Sequence, residues 1–470
     1  MSRFKNQSAA LSHSFHLTLL MAGLTFTTSV VAEQFSLGIL GATGRVVAGS
    51  GELEVVGVID KSPASRAGLT IGDRISGIAN VPFPPHSNRV DDGGNGPQRV
   101  LGESLDDIAA NRDETARRIV LNVIRNQGEQ PASIDVACQL PYRAGVLQDE
   151  GRRQMMDRAA EHLRATCRAD GYWNSPVGLT GDRVLTAWAT VALKSLGQAE
   201  DAQRLDQCCA WLRGPHGRSW VPQDPMQKGP DNLGNWALTA SVVALVECGA
   251  GQLGPDDKEA VRVVCNALKQ RMNDQGRFGH DVTPGYSGKG FNVINTLSHL
   301  AWAMGTKAGV PMDETTWNLS LEQIRQSVDP NGGVRYWTMK NTGTADASLR
   351  TSSMALALAI TKQEPELVET FAKYLDKNAA RTREAHAVGS MGMILAPAAL
   401  QRYDPAAYQR FLNEWRWYLS LMQDHQGKIH YIGGKRNNGG DSYLGQDRMA
   451  CVIAIMLLSP ADKRLILFKE

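Results

Sequence analysis

Beyond its first 32 residues the 470-residue chain has no apolar run approaching the roughly 20 residues that cross a bilayer. CVIAIMLL, near the end, is far too short. A charge excess is missing too: 50 Lys plus Arg face 48 Asp plus Glu. Near-neutrality argues against a large phosphate-rich partner, so nucleic acid is not expected. Several motifs that carry known chemistry are absent. Neither H-E-x-x-H nor a P-loop occurs, and GGDSYLG and GYSGKG have the wrong spacing for G-x-S-x-G. No cofactor or metal is indicated.

What is present begins with Arg3 and Lys5, followed by the uncharged stretch LTLLMAGLTFTTSVVA ending at Ala32. This pattern predicts a secretory signal peptide, residues 1–32, cleaved after Ala32 and leaving a periplasmic or extracellular protein. No Cys lies near Ala32, so a lipid anchor is not expected. Removing two basic residues leaves 48 charges of each sign over 438 residues, enough for two or three domains, or one small and one large.

The front of the mature chain predicts a small α+β module. EVVGVI (54–59) is a β-rich run, Ser62-Pro63 supplies an N-cap and a first-turn proline, and Gly68 suits a left-handed stop. A tight turn at 71–73 leads into the strand RISGI. Ser104 and Asp107 make a capping-box-like start for a helix bearing Leu105 and Ile108, and RRIVLNVIR and ASIDVAC form a closing hairpin. KSPASRAGLTIGDRI resembles the signature of bacterial PDZ domains, with Lys61 where Gly is usual. The resemblance implies a groove for a peptide or protein C-terminus, with Leu37, Gly38, Ile39 and Leu40 holding the carboxylate and Leu105 and Ile108 facing it. Two features oppose this: the glycines of GATGRVVAGSG weaken the strand a peptide would pair with, and residues 82–101 insert a Pro- and Gly-rich loop. A purely structural module packed on its neighbour is the other reading.

From Gly151 onward the pattern becomes alternately amphipathic and apolar helices. The amphipathic ones fall at 152–167, 201–212, 257–272, 314–328, 365–377 and 405–422. Segments nearly free of charge fall between them, at 181–197, 235–249, 291–305, 347–360, 387–400 and 446–458. Helices apolar on all sides must be surrounded by protein, so six of each kind predict an inner ring wrapped by an outer ring, an (α/α)6 toroid. The expected fold is mainly α, with a PDZ-like domain at 33–142 and a toroid at 143–470. GYWNS, GRFGH, GGVRYW and GKIHYIGG resemble the repeats of terpenoid cyclase and protein prenyltransferase toroids, which implies loops that tie adjacent helix pairs together. With TADASLRT, SMG-x-x-LAPAAL and GGDSYLG, the combination resembles a family of secreted bacterial proteins of unknown function.

Inner helices running the same way bring their positive N-terminal ends to one mouth. The candidates there are His280, Asp281 and Tyr286, Asp346 and Arg350, His386 and Asp441, accompanied by Asp182, Arg183, Asp231, Asn232, Glu384, Tyr443 and Asp447. On a glycan hydrolase or lyase, Asp281, Asp346 and Asp441 would serve as acids, Tyr286, His280 and His386 would move protons, and Arg350 would neutralise a carboxylate. Asp231, Asp346 and Asp441 are equally explained as N-caps. His299, inside NTLSHLAW, reads as a core or cavity-lining histidine. The D-x-D-D cluster of alkene-protonating cyclases and the C-x-E-Q of thioester proteins are absent, and the cysteines sit in packing stripes that do not support a zinc site. Those stripes explain most of the seven cysteines as small apolar packing; a vicinal bond, or a bond from Cys208 or Cys209 to Cys167, is the alternative. The leading expectation is an exported binder of a peptide or protein partner with a polar ligand cavity in the toroid. The alternative is a carbohydrate-active or terpenoid cyclase-like enzyme acting in that cavity on a small molecule or glycan.

Overall fold

The computed structural model describes residues 34–87, 96–127, 130–176, 178–214, 222–229, 232–282, 290–337, 346–384, 389–433, 444 and 446–469. The expected signal peptide therefore lies outside the described residues. All the described residues belong to one compact unit, Ala32–Glu470.

Its front forms β1 (Phe35–Ser36), β2 (Ala42–Val46), β3 (Leu53–Val58), α1 (Pro63–Arg66), β4 (Arg74–Ile78), β5 (Val81–Pro82), α2 (Gly96–Ala109), β6 (Arg118–Gln127) and β7 (Gln130–Gln139). The sheet is antiparallel in the order β1-β2-β3-β4-β6-β7, with β5 beside β4. Alternation along β6 buries Ile119, Leu121 and Val123 on one face. Ser62 caps α1 by accepting from Ser65 N at 3.1 Å, Pro63 takes the first turn, and Gly68 is left-handed at φ 79°. One expectation is corrected: Ser104 lies inside α2, which begins at Gly96. Pro97 fits the first turn, where a missing N–H costs nothing, so the helix extends into the stretch read as a loop.

The remainder is helical: α3 (Asp149–Thr166), α4 (Leu179–Leu196), α5 (Ala202–Arg213), α6 (Gly234–Cys248), α7 (Pro255–Arg271), α8 (Asn292–Lys307), α9 (Glu314–Ser327), α10 (Ser348–Thr361), α11 (Pro365–Lys377), α12 (Gly389–Tyr403), α13 (Pro405–Met422) and α14 (Asp447–Leu458). Each helix expected from periodicity is present. The nearly uncharged helices pack in a closed cycle, α4 on α6, α6 on α8, α8 on α10, α10 on α12, α12 on α14, and α14 on α4. The amphipathic helices lie against them in turn: α3 on α14, α5 on α4, α7 on α6, α9 on α8, α11 on α10 and α13 on α12. Burial follows the sequence pattern. In α6 every residue from Gly234 to Glu247 is buried, whereas α7 buries one stripe that includes Val261, Val264, Cys265 and Leu268. Among the described residues no helix is long and apolar enough to cross a membrane.

Four turns of one design join outer to inner helices. In each, a residue donates its N–H to a carbonyl four positions on and accepts from a glycine three positions on: Arg168 with Tyr172 and Gly171, Asn273 with Arg277 and Gly276, Asp329 with Gly333 and Gly332, Asp424 with Lys428 and Gly427. All four glycines have φ between 76° and 92°. At Gly276 a Cβ would stand 2.5 Å from the Leu319 carbonyl oxygen of α9, so the turn is pressed onto the backbone of the next outer helix.

Outer helices also meet end to start through charge. Arg164 pairs with Asp201 at 2.8 Å, Arg213 with Asp257 at 2.6 Å and Arg325 with Glu364 at 2.5 Å, and Lys269 pairs with Asp313. Each places a cation in a last turn and a carboxylate at or near a helix start, the sense the helix dipole favours. Behind the cycle, buried Glu247 at the end of α6 accepts from Ile466 N and Leu467 N, both at 2.8 Å, which ties down the C-terminal segment. Burial pushes its carboxyl up to about 7, against the pull of those two N–H groups.

Candidate functional site

The groove expected for a peptide terminus is filled by the chain itself. β1 already pairs with β2, Phe35 opposite Gly44 and Ser36 opposite Thr43, on the edge opposite β3, so both edges of β2 are taken there. Leu37, Ile39, Leu40 and Leu105 are buried and Gly38 is covered, with Ile108 half-buried beside them. Their cover is α13: a Cβ on Gly38 would stand 2.7 Å from the Ser420 oxygen, and one on Gly102 2.5 Å from the Trp417 oxygen. Arg99 reaches Glu414 at 2.6 Å, and Arg416 of α13 pairs with Asp107. Buried Arg143 donates to the Ser420 hydroxyl at 2.7 Å and the Gln423 carbonyl at 3.1 Å. These residues therefore form an internal contact, in which α13 supplies the apolar and polar surface against them.

The starts of the inner helices do lie side by side. Asn235, in the first turn of α6, donates its backbone N–H to the His280 carbonyl and its side-chain amide to the Gly279 and Asp281 carbonyls ahead of α8. Asn292 does the same one repeat later, to the carbonyls of Tyr336 and Arg335. Arg448 at the start of α14 donates to the Asn174 carbonyl ahead of α4.

Several predicted site residues serve this stitching. Asp281 is buried, accepting from Arg271 at 2.9 Å through one oxygen and from Gly229 N at 2.8 Å through the other. That makes it a counterion for a buried guanidinium. His280 Nδ1 accepts from Trp236 Nε1 at 2.9 Å, and its ring packs 4.2 Å from Phe291. Asp346 does not cap α10, whose N-cap is Ala347; it pairs instead with Arg350 at 2.8 Å. Arg350 also donates to the Val334 carbonyl at 2.9 Å and stacks over Tyr336. Arg183 is buried, donating to Ser241 at 2.8 Å. Tyr286, His386 and Asp441, with Asp231 and Tyr443, lie outside the described residues. His299 is a core histidine, 3.0 Å from Ser320 Oγ and edge-on to Trp317, and burial drives its pKa down to about 3.

A cavity of about 480 Å³ opens at this end between the last turns of α3, the segment before α4 and the start of α14. His162, Thr166, Asn174, Ser175, Pro176, Gln446, Asp447 and Arg448 line it. Every one except Pro176 ends in a hydrogen-bonding group. Gln446 stands at φ 40°, a left-handed backbone that a glutamine rarely adopts, at the N-cap of α14. Asp447 accepts from Tyr431 N at 3.3 Å and lies 3.4 Å from Lys428. Burial holds the His162 imidazole below its ordinary range against the raising pull of Asp447; Lys428, Arg448 and His430 add to the lowering. Nearby His430 meets Asp424 at 2.8 Å. Of these lining residues, sequence reasoning found only Asp447. His162 sits on an amphipathic outer helix, and only closure of the cycle, α14 against α3 and α4, brings it to Asp447. Among the described residues no group of three His, Cys, Asp or Glu side chains could hold a metal ion.

A family profile described as "Domain of unknown function (DUF6288)" matches residues 168–468. No curated protein matches the sequence. Among solved structures, a family 76 glycoside hydrolase from a bovine Bacteroides thetaiotaomicron strain is similar at 14% identity and TM-score 0.46, over 73% of this chain and 83% of that one. An inactive variant of an alpha-1,6-mannanase of Salegentibacter, in complex with alpha-1,6-mannotriose, is similar at 10% identity and TM-score 0.45, over 66% and 98%. The type II terpene cyclase MstE from Scytonema is similar at 15% identity and TM-score 0.43, over 67% and 99%.

Proposed function

The chain belongs to the DUF6288 family, whose description names no activity, and from its own geometry we propose that it binds a polyhydroxylated ligand, a sugar unit or short glycan, at the mouth of the helical cycle. The observation that carries this is the 480 Å³ cavity in which imidazole, carboxylate, guanidinium, amide and hydroxyl groups converge. Its size suits a small ligand, and its lining suits hydroxyl groups. An isoprenoid would leave most of these polar heads unpaired on desolvation, a cost that disfavours the terpenoid reading.

In this reading the cycle is an (α/α)6 toroid occupying about 143–470, and the PDZ-like module at 33–142 is a brace that grips α13. The protein works outside the cytoplasm once residues 1–32 are removed. A second reading, hydrolysis or elimination on the bound sugar, is favoured by the presence of an imidazole, His162, and a carboxylate, Asp447, on the lining of one cavity. The test is a thermal-shift screen of neutral oligosaccharides, isoprenoids and C-terminal peptides against wild type and Asp447→Asn. Saturable stabilisation by a saccharide that the variant loses supports the proposal. Stabilisation by isoprenoids or peptides alone overturns it.

A further inference from the structure

Seven cysteines are free thiols in this structure, and four of them meet in two pairs along α5. Cys208 and Cys209 are successive residues of one helix, so their side chains leave it about 100° apart and face different neighbours. Cys208 meets Cys167, the residue that ends α3, thiol to thiol. Cys209 meets Cys248, the last residue of α6, in the same way. The first contact is held by the turn that follows Cys167: a Cβ on Gly171 would stand 2.6 Å from the Gln207 carbonyl carbon and 2.9 Å from Cys208 N, so this loop lies directly on the α5 backbone. The second is held by the packing of α5 on α6.

We infer that these are two disulfide-forming couples, Cys167 with Cys208 and Cys209 with Cys248, which staple α5 to the end of α3 on one side and to the end of α6 on the other. Within each couple the roles differ. Cys167 and Cys248 are half-buried, whereas Cys208 and Cys209 are buried. The contact from Cys208, with Arg204 nearby, favours the Cys167 thiolate over the opposing effect of burial, while the Cys208 thiol is held far up the scale. Cys167 is therefore the attacking thiol and Cys208 the resolving one.

With oxidised glutathione as the oxidant, the Cys167 thiolate attacks one glutathione sulfur, forming a mixed disulfide and expelling one glutathione thiolate. Cys208 then gives its proton to solvent, attacks the Cys167 sulfur and expels the second, which takes up a proton. Two protein thiols are oxidised and one glutathione disulfide is reduced to two thiols. In the second couple Cys248, the more exposed member, meets the oxidant first, and Cys209 then displaces the second glutathione from it, with the same balance. His162 and Thr166, in the last turns of α3, line the cavity, so the first staple would stiffen one of its walls. The inference stands on the thiol contacts and is independent of what the cavity binds.

The purified chain is incubated with oxidised glutathione, its remaining thiols are alkylated, and it is digested with trypsin without reduction. Cys167 falls in Ala165–Arg168, Cys208 and Cys209 together in Leu205–Arg213, and Cys248 in Gly229–Lys258. The expected product is all three peptides linked. Cys209→Ser should keep only the link from Ala165–Arg168 to Leu205–Arg213, and Cys208→Ser only the link from Leu205–Arg213 to Gly229–Lys258. Oxidation should also raise the unfolding midpoint by several degrees, a gain lost in two steps across the single and double variants. A Cys208–Cys209 bond, a Cys167–Cys209 link in the Cys208→Ser variant, glutathione retained on Cys167, or four thiols still alkylated after incubation would each overturn it.

Discussion

Arg143 donates to the Ser420 hydroxyl at 2.7 Å, joining the chain just beyond β7 to the last turns of α13. The guanidinium is buried, and burial brings its pKa down to about 10 even though Asp106 pulls it upward. Removing it takes a counter-charge from buried Asp106 and deprives the Ser420 hydroxyl, the Ser420 carbonyl and the Gln423 carbonyl of this donor in a dry contact. Arg143→Ala should cost about 3 kcal/mol, the scale for breaking a buried charged network. Because the contact joins sheet to helices, both should melt in one transition, followed by strand and helix signals in the same urea titration. A sheet that unfolds first in wild type, with the helices unaffected, would contradict the brace.

The repeat turns give a second prediction with an internal control. Gly276→Ala places a methyl 2.5 Å from a backbone oxygen at φ 76°, and should cost about 3 kcal/mol from clash and left-handed strain together. Gly68→Ala has a similar φ of 79° but nothing within 4 Å, and should cost about 1 kcal/mol. Equal losses in equilibrium unfolding would show that the turn is not pressed onto α9.

Glu247 predicts a pH dependence. Its folded pKa of about 7 lies above the ordinary 4.5, so the folded state holds the proton more tightly. The stabilisation is complete below about pH 4.5 and is lost as pH rises through about 7, a swing of roughly 3 kcal/mol. The difference in unfolding free energy between wild type and Glu247→Gln should therefore shift against wild type by about 2.5 kcal/mol of that swing between pH 5 and pH 8. A constant difference would mean that the carboxyl is charged throughout.

Much of this architecture was readable in the residues. The helices followed from periodicity because a segment with a single carboxyl side chain, such as NWALTASVVALVECG, has no way to avoid water except among other helices. The glycine of each turn was visible in GYW, GRF, GGV and GKI, and its left-handed φ explains why glycine is there. What was hidden depended on contacts across long stretches of chain. Nothing in the signature around Ser62 indicates that Trp417 and Ser420 will cover Gly102 and Gly38. Likewise Asp281 has the residue type and position of a catalytic acid, and only the approach of Arg271 from α7 makes it a counterion. Polar residues at helix starts were legible as a group; whether each one faces a cavity or a neighbour was not.

Hydrogen-exchange mass spectrometry with and without a saturating saccharide tests the central claim most directly. The account predicts slowed exchange in peptides covering 162–176 and 446–448, at the ends of α3 and α14, with 37–46 and 101–109 unchanged. Protection confined to 37–46 and 101–109, or none at 162–176 under saturating ligand, would contradict it.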